Sequence, residues 1–496
     1  MSDLLPGQVN TLTSFCKMKF KATKTEWAKT IVYGVLYLAF LYWVDAWWGV
    51  VVLPFLFDAY ITKLIPWTWW KDAENPLVRL VMSWVDAIVF ALVAVYFVNI
   101  YFFQNYTIPS SSLEKSLLVG DYLFVSKMSY GPRVPQTPLH MPLCQHTLPW
   151  GGKSYIEWPR WKYKRVTPKP VQLNDIVVFN YPEGDTIVTN MPYQTEYYTM
   201  CYGFGSQIYL QDSGSLPCMD SLSQMERRHY YERIYSLGRQ YVAYNANTFG
   251  KIDSRPVDRR ENYVKRCVGL PGQTLQIKDK VMYLDGKVNP DAENVQYNYR
   301  VELRASTLPD ELVYSLGLSG KDVQEMYRSG VMPLTLKAKE ELEKQTDYVY
   351  SVTPVENSDT EGLYPKNAYT GWTCDNYGPI WIPKKGESVR LTLENLPIYE
   401  RPIAVYEGNT LKVADDGKIY INGEQTDEYT FKMDYYWMQG DNRHCSADSR
   451  YWGFVPEDHI VGKPIIIWLS TDEDRSWFSG RHIRWNRLFR LVDNIK

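Results

Sequence analysis

The chain has 496 residues, of which 45% are hydrophobic and 15% aromatic, and its 54 Lys and Arg nearly balance its 56 Asp and Glu. A chain of this length can hold a membrane segment together with one or two globular units. The formal net charge of -2 argues against nucleic-acid binding, and the abundant Tyr and Trp favour β structure and membrane-interface residues over a helical bundle.

Two apolar stretches predict a membrane anchor over residues 1–105. The hydrophobic segment at 84–104 has the length and composition of a short transmembrane helix. The segment at 31–57 contains Asp45 near its middle and Pro54 further on, and a carboxylate is costly in lipid. This first segment is therefore compatible with one full span or with two shorter pieces. Lysines and arginines precede both segments, so the positive-inside rule predicts that the chain after 104 is extracytoplasmic.

The rest of the chain, residues 106–496, predicts a mainly-β catalytic domain. Short alternating or apolar runs indicate strands at 175–181, 263–270, 281–288, 389–396, 410–423 and 462–470. Helical patterns occur at 221–240 and 309–344, which indicates two inserted segments at about 186–260 and 290–385. The predicted fold class is thus N-terminal membrane helices plus a mainly-β domain with α/β insertions.

The cysteines and histidines limit the chemistry that the chain can perform. None of the seven cysteines forms a Cys-x-x-Cys pair, so a zinc cluster is not expected. A serine mechanism would also need no metal or other cofactor, and we expect none. Cys201 and Cys218 are compatible with a disulfide or with two free thiols. The six histidines show no spacing to an orienting aspartate, and no Gly-x-Ser-x-Gly turn is present.

Three consecutive serines, 110–112, follow the second apolar segment, and one of them is a candidate nucleophile. In place of histidine, a neutral lysine can accept the proton of a serine hydroxyl. Lowering a lysine pKa from about 10.4 to about 7–8 corresponds to roughly 4 kcal/mol and requires apolar burial. Lys265 lies in an apolar strand-like segment and is the candidate base, and the alternative is a solvent-facing lysine on an edge strand.

A third segment, MQGDNRHCSADSRYWGFVP at 438–456, concentrates charged and hydroxyl side chains. It is either a charge-paired turn or a hydrogen-bonding platform that orients a buried amine. Together, IPSSSLEKSLLVGDYLFVSKMSYG, NDIVVFNYPEG, YVKRCVGLPGQ and GDNRHCSADSRYWGFVP resemble, in this order, the motifs of the type I signal peptidases (leader peptidases). These proteins are membrane-bound Ser/Lys proteases.

The resemblance implies a role for each matching residue. Ser112 corresponds to the nucleophile and Lys265 to the general base, while the Ser110 hydroxyl and the Ser112 backbone N–H correspond to the oxyanion hole. Ser446 corresponds to the hydroxyl that binds the lysine, and Asp448 and Arg450 correspond to a charged pair that supports the site. The chain departs from the family's usual Gly, Met and Pro at three positions, namely Ser111, Leu113 and Lys115.

The resemblance also implies a substrate and a location. The substrate would be a preprotein whose signal peptide is cleaved, and the partners would be preproteins, the lipid bilayer and the export machinery. The location would be the bacterial inner membrane, with the catalytic domain on the periplasmic side. Strand alternation places Tyr263 beside Lys265, and the resemblance places the other pocket residues nearby: Tyr106, Ile108, Pro109, Leu113, Leu117 and Leu123. A pocket of such bulky side chains would admit only a small residue before the cut.

Two alternative functions remain at the level of the sequence. The chain could be an anchored, non-catalytic envelope binding module whose insertions recognise partners. It could also be an acyl hydrolase of the penicillin-binding type, because Ser112 and Lys115 have Ser-x-x-Lys spacing. The accompanying Ser-Asp-Asn and Lys-Thr-Gly motifs of those enzymes are not found.

Overall fold

The computed structural model describes residues 22–182, 186–189, 196–358, 360–472, 475 and 482–495. The chain divides into two compact units, Met1–Phe97 and Val98–Lys496. The α-helices of the described residues, in chain order, are α1 Lys24–Val44, α2 Leu53–Phe57, α3 Pro76–Tyr101, α4 Tyr197–Ser213, α5 Gln224–Tyr244, α6 Ala246–Phe249, α7 Asp310–Ser315, α8 Gly320–Ser329, α9 Leu336–Glu343, α10 Leu396–Arg401 and α11 Ser449–Trp452.

The N-terminal unit is helical. A capping box starts α1, in which the Glu26 backbone N–H donates to Thr23 Oγ1 and the Thr23 backbone N–H donates to the Glu26 carboxylate. The helix ends at Val44, and Asp45 follows it in the left-handed conformation with φ 51°. Residues 31–57 therefore do not form one continuous helix. Within the described residues, α1 and α3 are long and apolar enough to cross a membrane.

The second unit is mainly β. Its strands are β1 Phe103–Thr107, β2 Asp121–Ser126, β3 Ile176–Asn180, β4 Ile187–Val188, β5 Ile252–Asp253, β6 Asn262–Gly269, β7 Thr274–Lys278, β8 Val281–Leu284, β9 Lys287–Val288, β10 Gln296–Leu303, β11 Val331–Thr335, β12 Val349–Pro354, β13 Tyr377–Trp381, β14 Ser388–Arg390, β15 Leu411–Val413, β16 Ile419–Ile421, β17 Glu424–Gln425, β18 Glu428–Thr430, β19 Tyr435–Gln439, β20 Val455–Pro456, β21 Ile460–Ser470 and β22 Arg490–Leu491.

One large antiparallel sheet organises this unit, in the order β1-β2-β21-β3-β6-β19-β20, with β22 paired to β21. Its central strand β3 is buried at every residue, as expected for a strand covered on both faces. A second sheet, β13-β7-β8-β9, packs over a separate aromatic and aliphatic core that includes Tyr377 and Trp437. The predicted fold class, apolar N-terminal helices with a mainly-β domain and helical insertions, is confirmed.

The first insertion is built from α4 and α5. The sequence predicted α5 but not α4, because its segment YYTMCYGFGSQIYLQDS is rich in Tyr and Gly, which are weak helix formers. Tertiary packing stabilises α4 instead. A Cβ at Gly205 would lie 1.7 Å from the Ile234 carbonyl oxygen, and one at Gly238 would lie 1.8 Å from that of Cys201. Only glycine permits this close contact between the helices.

The second insertion has its own sheet, β11-β10-β12, and its own apolar core against α7, α8 and α9. The predicted helical stretch at 309–344 contains these three helices, but it also contains strand β11, which the sequence did not indicate. The strand predicted at 389–396 is wrong beyond Arg390. There, the side chains of Thr392 and Asn395 each accept a hydrogen bond from the other's backbone N–H, and α10 begins at Leu396. Cys201 and Cys218 are both free thiols.

Candidate active site

Ser112 lies in a single 3₁₀ turn, Ser111–Leu113, that follows β1. Its backbone carbonyl accepts a hydrogen bond from the Asn442 backbone N–H at 3.1 Å. The Asn442 side chain also donates to the Ser111 carbonyl at 3.3 Å. The segment at 438–456 therefore holds the serine turn in place by two hydrogen bonds from one residue.

Lys265 projects from β6 towards this turn. Its Nζ lies 2.7 Å from Ser112 Oγ and 3.1 Å from the Val264 carbonyl oxygen. The residue is only 3% exposed, which excludes the solvent-facing alternative. Burial lowers the pKa of Lys265 to about 8, although the carboxylates of Asp448 and Asp441 favour the charged amine. About a tenth of the amine is therefore neutral at pH 7, and about half at pH 8, and this neutral form can accept the Ser112 proton.

The other hydroxyls predicted for the site lie near Ser112 but differ in their contacts. Ser110 is exposed, and its Oγ lies 3.5 Å from Ser112 Oγ. Ser446 Oγ donates to the Ala447 carbonyl at 3.3 Å, and none of the described contacts joins it to Lys265. The oxyanion role of Ser110 and the lysine-binding role of Ser446 stay predictions.

Asp448 and Arg450 form the buried pair that the sequence placed beside the site. Arg450 Nε donates to Asp448 Oδ1 at 2.9 Å and Nη2 donates to Oδ2 at 2.8 Å. Asp448 Oδ2 also accepts the Gly440 backbone N–H at 3.2 Å. The two side chains are at most 2% exposed. This bidentate pairing fixes the loop that follows β19.

A second buried pair was not predicted. Arg266, the neighbour of Lys265 on β6, donates from Nε and Nη2 to the two carboxylate oxygens of Asp441 at 2.8 and 2.7 Å. Asp441 Oδ2 also accepts the Ser116 hydroxyl at 2.6 Å. Strand alternation places Arg266 and Lys265 on opposite faces of β6. Nothing local in the sequence identifies the partner of Arg266, because Asp441 lies 175 residues away. The pair joins the base strand, the serine segment and the 438–456 segment.

Most of the predicted pocket residues belong to one apolar cluster. This cluster contains Ile108, Leu113, Leu117 and Leu123, with Tyr106 and Val264 packed against it. Pro109 is exposed, and the Tyr263 ring lies 5.5 Å from Lys265 Nζ. The turn that carries Ser112 therefore contributes Leu113 to a buried apolar cluster, while the role of these side chains in substrate selection stays a prediction.

Lys115, the other lysine at a catalytic spacing, does not contact Ser112. Its Nζ donates to the Gly317 carbonyl oxygen in the second insertion. The structure therefore favours Lys265 over Lys115 as the base and gives no support to Ser-x-x-Lys chemistry. Within the described ranges, no group of three or more His, Cys, Asp or Glu is arranged to hold a metal ion.

Comparison with known proteins places this chain in a family. The family model described as "Signal peptidase, peptidase S26" matches residues 81–315 and 386–469, which together are more than half of the chain. The chain belongs to the signal peptidase, peptidase S26 family. The resemblance drawn from the sequence motifs is confirmed, and the protein is a peptidase. Residues 316–385, which lie between the two matched ranges, form most of the second insertion.

Individual relatives give the same picture. The chain is 22% identical to Signal peptidase I of Buchnera aphidicola subsp. Acyrthosiphon pisum over 401 residues, which cover 80% of this chain and 77% of that protein. It is 42% identical to Signal peptidase I of Haemophilus influenzae over 71 residues, 14% of this chain and 20% of that protein. It is 56% identical to Signal peptidase I of Aquifex aeolicus over 36 residues, 7% of this chain and 14% of that protein.

Gly440 offers a test of the site geometry. A Cβ at this position would lie 2.2 Å from Ser446 Oγ and 2.5 Å from the Ser112 carbonyl oxygen. We expect Gly440→Ala to displace the serine turn and to lower kcat for peptide hydrolysis on the order of 10²-fold, since a shift of about 1 Å has this effect. Gly320→Ala is the control, because its Cβ meets nothing within 4 Å. Wild-type kcat in Gly440→Ala would show that the turn tolerates the displacement.

Proposed function

We propose that this chain is a membrane-bound serine endopeptidase that removes N-terminal signal peptides from exported preproteins through a Ser112–Lys265 dyad. The observation that carries the proposal is the 2.7 Å contact between Lys265 Nζ and Ser112 Oγ in a buried setting. The name that these relatives share, Signal peptidase I, supports the choice of substrate.

The first half of the reaction forms an acyl-enzyme. Ser112 Oγ attacks the carbonyl carbon of the residue before the cut, and its proton passes to the neutral amine of Lys265. The Ser110 hydroxyl and the Ser112 backbone N–H donate to the oxyanion that forms. The intermediate then collapses, the C–N bond breaks, and the Lys265 ammonium gives its proton to the leaving amine.

The second half releases the signal peptide. A water molecule attacks the acyl carbon while Lys265 accepts one of the water protons. The C–O bond to Ser112 breaks, and Lys265 returns the proton to Ser112 Oγ. No step requires a group other than the side chains of the site, the backbone N–H and water.

Substrate selection follows from the bulk of the predicted pocket. We expect the peptide to bind in an extended form, with side chains alternating towards the apolar cluster around Leu113. The methyl group of an alanine offers only about 1 kcal/mol of burial, so selection rests on exclusion of larger residues rather than attraction. The cut should follow a small residue, with a second small residue two positions earlier.

Replacement of Lys265 tests the proposal directly. We expect the wild-type protein, solubilised and incubated with a preprotein, to create a new N-terminus after a small residue, and Lys265→Ala to create none. The pH profile should reach half of its plateau near pH 8, because only the neutral form of an amine with a pKa of about 8 accepts the serine proton. The proposal would be contradicted if Lys265→Ala cleaved the preprotein at more than a hundredth of the wild-type rate. It would also be contradicted if the wild-type protein cut after Leu or Phe.

The neighbouring serines provide a matched pair of variants. Ser110→Ala should lower kcat by roughly 10²–10³ with little change in KM, the effect of losing one oxyanion donor. Ser111→Ala is the control, because its exposed hydroxyl makes none of the hydrogen bonds found at the site. Equal kcat values for the two variants would mean that the Ser110 hydroxyl stabilises the turn and does not donate to the oxyanion.

The proposed anchor consists of α1 and α3, with the catalytic domain on the extracytoplasmic side. In a background with Cys218 and Cys445 replaced by serine, Thr360→Cys should react with a membrane-impermeant thiol reagent in intact cells and Asp72→Cys should not. Both positions are exposed, so accessibility within the protein does not separate them. The reverse labelling pattern would place the catalytic domain in the cytoplasm and contradict the proposed location.

A further inference from the structure

We propose that the second insertion, residues 290–385, clamps the nucleophile turn, and that His444 and Lys115 are positioning residues which transmit its hold to Ser112. The inference rests on the proposed function and extends it to a segment that lies largely outside the family match. Three separate contacts between the insertion and the motif segments carry it.

The first contact is a backbone pairing beside the active site. The Gln296 N–H, at the start of β10, donates to the Asp441 carbonyl at 2.8 Å, and the Arg443 N–H donates to the Gln296 carbonyl at 2.9 Å. The residue between them, Asn442, donates its own N–H to the Ser112 carbonyl at 3.1 Å. The insertion therefore fixes the backbone on both sides of the residue that holds the nucleophile turn.

The second contact uses both nitrogens of His444. The Asn298 backbone N–H donates to Nδ1 at 3.2 Å, so Nδ1 carries no proton and Nε2 carries one. Nε2 lies 2.8 Å from Asp375 Oδ1 and donates to it. The opposite oxygen of Asp375 accepts the Asn357 backbone N–H at 2.8 Å. His444 is 1% and Asp375 6% exposed at the side chain, so this junction is closed to water.

The third contact reaches the serine segment itself. Lys115 has φ 70°, a left-handed backbone conformation that is uncommon for residues other than glycine. Its amine donates to the Gly317 carbonyl, at the turn between α7 and α8 of the insertion. This lysine is one of the departures from the family's usual residues noted in the sequence. The departure therefore coincides with a contact that only this insertion provides.

Through these contacts the position of Ser112 depends on the second insertion, which has an apolar core of its own. The insertion packs α7, α8 and α9 on its three-stranded sheet, so it holds a defined shape. Its residues Gln296 and Asp375 hydrogen-bond to the 438–456 segment, and its Gly317 carbonyl accepts a hydrogen bond from the serine segment. The insertion therefore adds a further restraint on the distance between these two segments, and with it on the position of Ser112, to the direct hydrogen bonds that Asn442 and Asp441 make. A purely structural insertion would affect the amount of folded protein but not kcat per folded molecule.

Substitutions at the two junctions test the clamp in the full-length protein. His444→Leu removes both hydrogen bonds, and we expect kcat on a preprotein to fall about tenfold or more, because nucleophile placement within about 1 Å governs the rate. KM should stay within twofold. His444→Gln can still donate to Asp375 and should retain more of kcat than His444→Leu does. Lys115→Met removes the contact with Gly317 at the other junction and should also lower kcat.

Combining the variants separates a clamp from two independent contacts. Because both junctions act through one body, the His444→Leu/Lys115→Met protein should lose less activity than the product of the single losses. The control is Glu341→Gln, which removes an exposed pair with Lys344 within the same insertion and should leave kcat unchanged. Thermal melts of every variant give the folded fraction by which kcat is corrected. If His444→Leu does not fold, Lys115→Met and His444→Gln are used for the test instead.

The outcomes distinguish the clamp from the proposed function. The clamp would be overturned, with wild-type cleavage still intact, by any one of three results. These are an unchanged kcat in the single variants, losses of kcat that multiply in the double variant, and losses of kcat that the folded fraction explains. Failure of the wild-type protein to cleave a preprotein would instead overturn the proposed function.

Discussion

The site depends on lowering the pKa of one amine in a place where two carboxylates would raise it. Lys265 is buried against Ser112, and this burial lowers its pKa. Asp448 and Asp441 act in the opposite direction. Each of these carboxylates is held by both oxygens on a guanidinium, Asp448 on Arg450 and Asp441 on Arg266. Because most of their charge is compensated there, desolvation decides the protonation of the lysine.

The same two ion pairs explain how distant parts of the chain reach one point. Arg266 follows Lys265 on β6, so the Lys265 amine lies on one face of the strand and the Arg266 guanidinium lies on the other. Asp441 then binds both Arg266 and Ser116, which lies four residues after Ser112. A buried pair that loses one partner leaves an unpaired charge, which costs about 3–5 kcal/mol. The network therefore favours a single arrangement of the serine turn over β6.

The sequence was informative where the chemistry is local in the chain. The apolar surroundings of Lys265 and the serine turn before GDYLFV can be seen within short windows, and the family match confirms the resemblance drawn from them. The Arg266–Asp441 and His444–Asp375 pairs could not be predicted in this way, because their partners lie 175 and 69 residues apart. Helix α4 was missed for a related reason, since its stability comes from the close contact of Gly205 with α5 and not from helix propensity.

The two insertions show how a catalytic sheet accepts added chain without losing its geometry. Each insertion has a core of its own, around Tyr197 and Val242 in the first and around Met332 and Leu334 in the second. The first insertion leaves the large sheet between β3 and β6, and the second leaves the sheet β13-β7-β8-β9 between β9 and β13, so no paired strand is interrupted. The second insertion goes further, because β10 begins beside Asp441 and Arg443. In the proposed clamp, an addition that returns to the site through the backbone adds its own restraint on the serine turn to those that Asn442 and Asp441 provide.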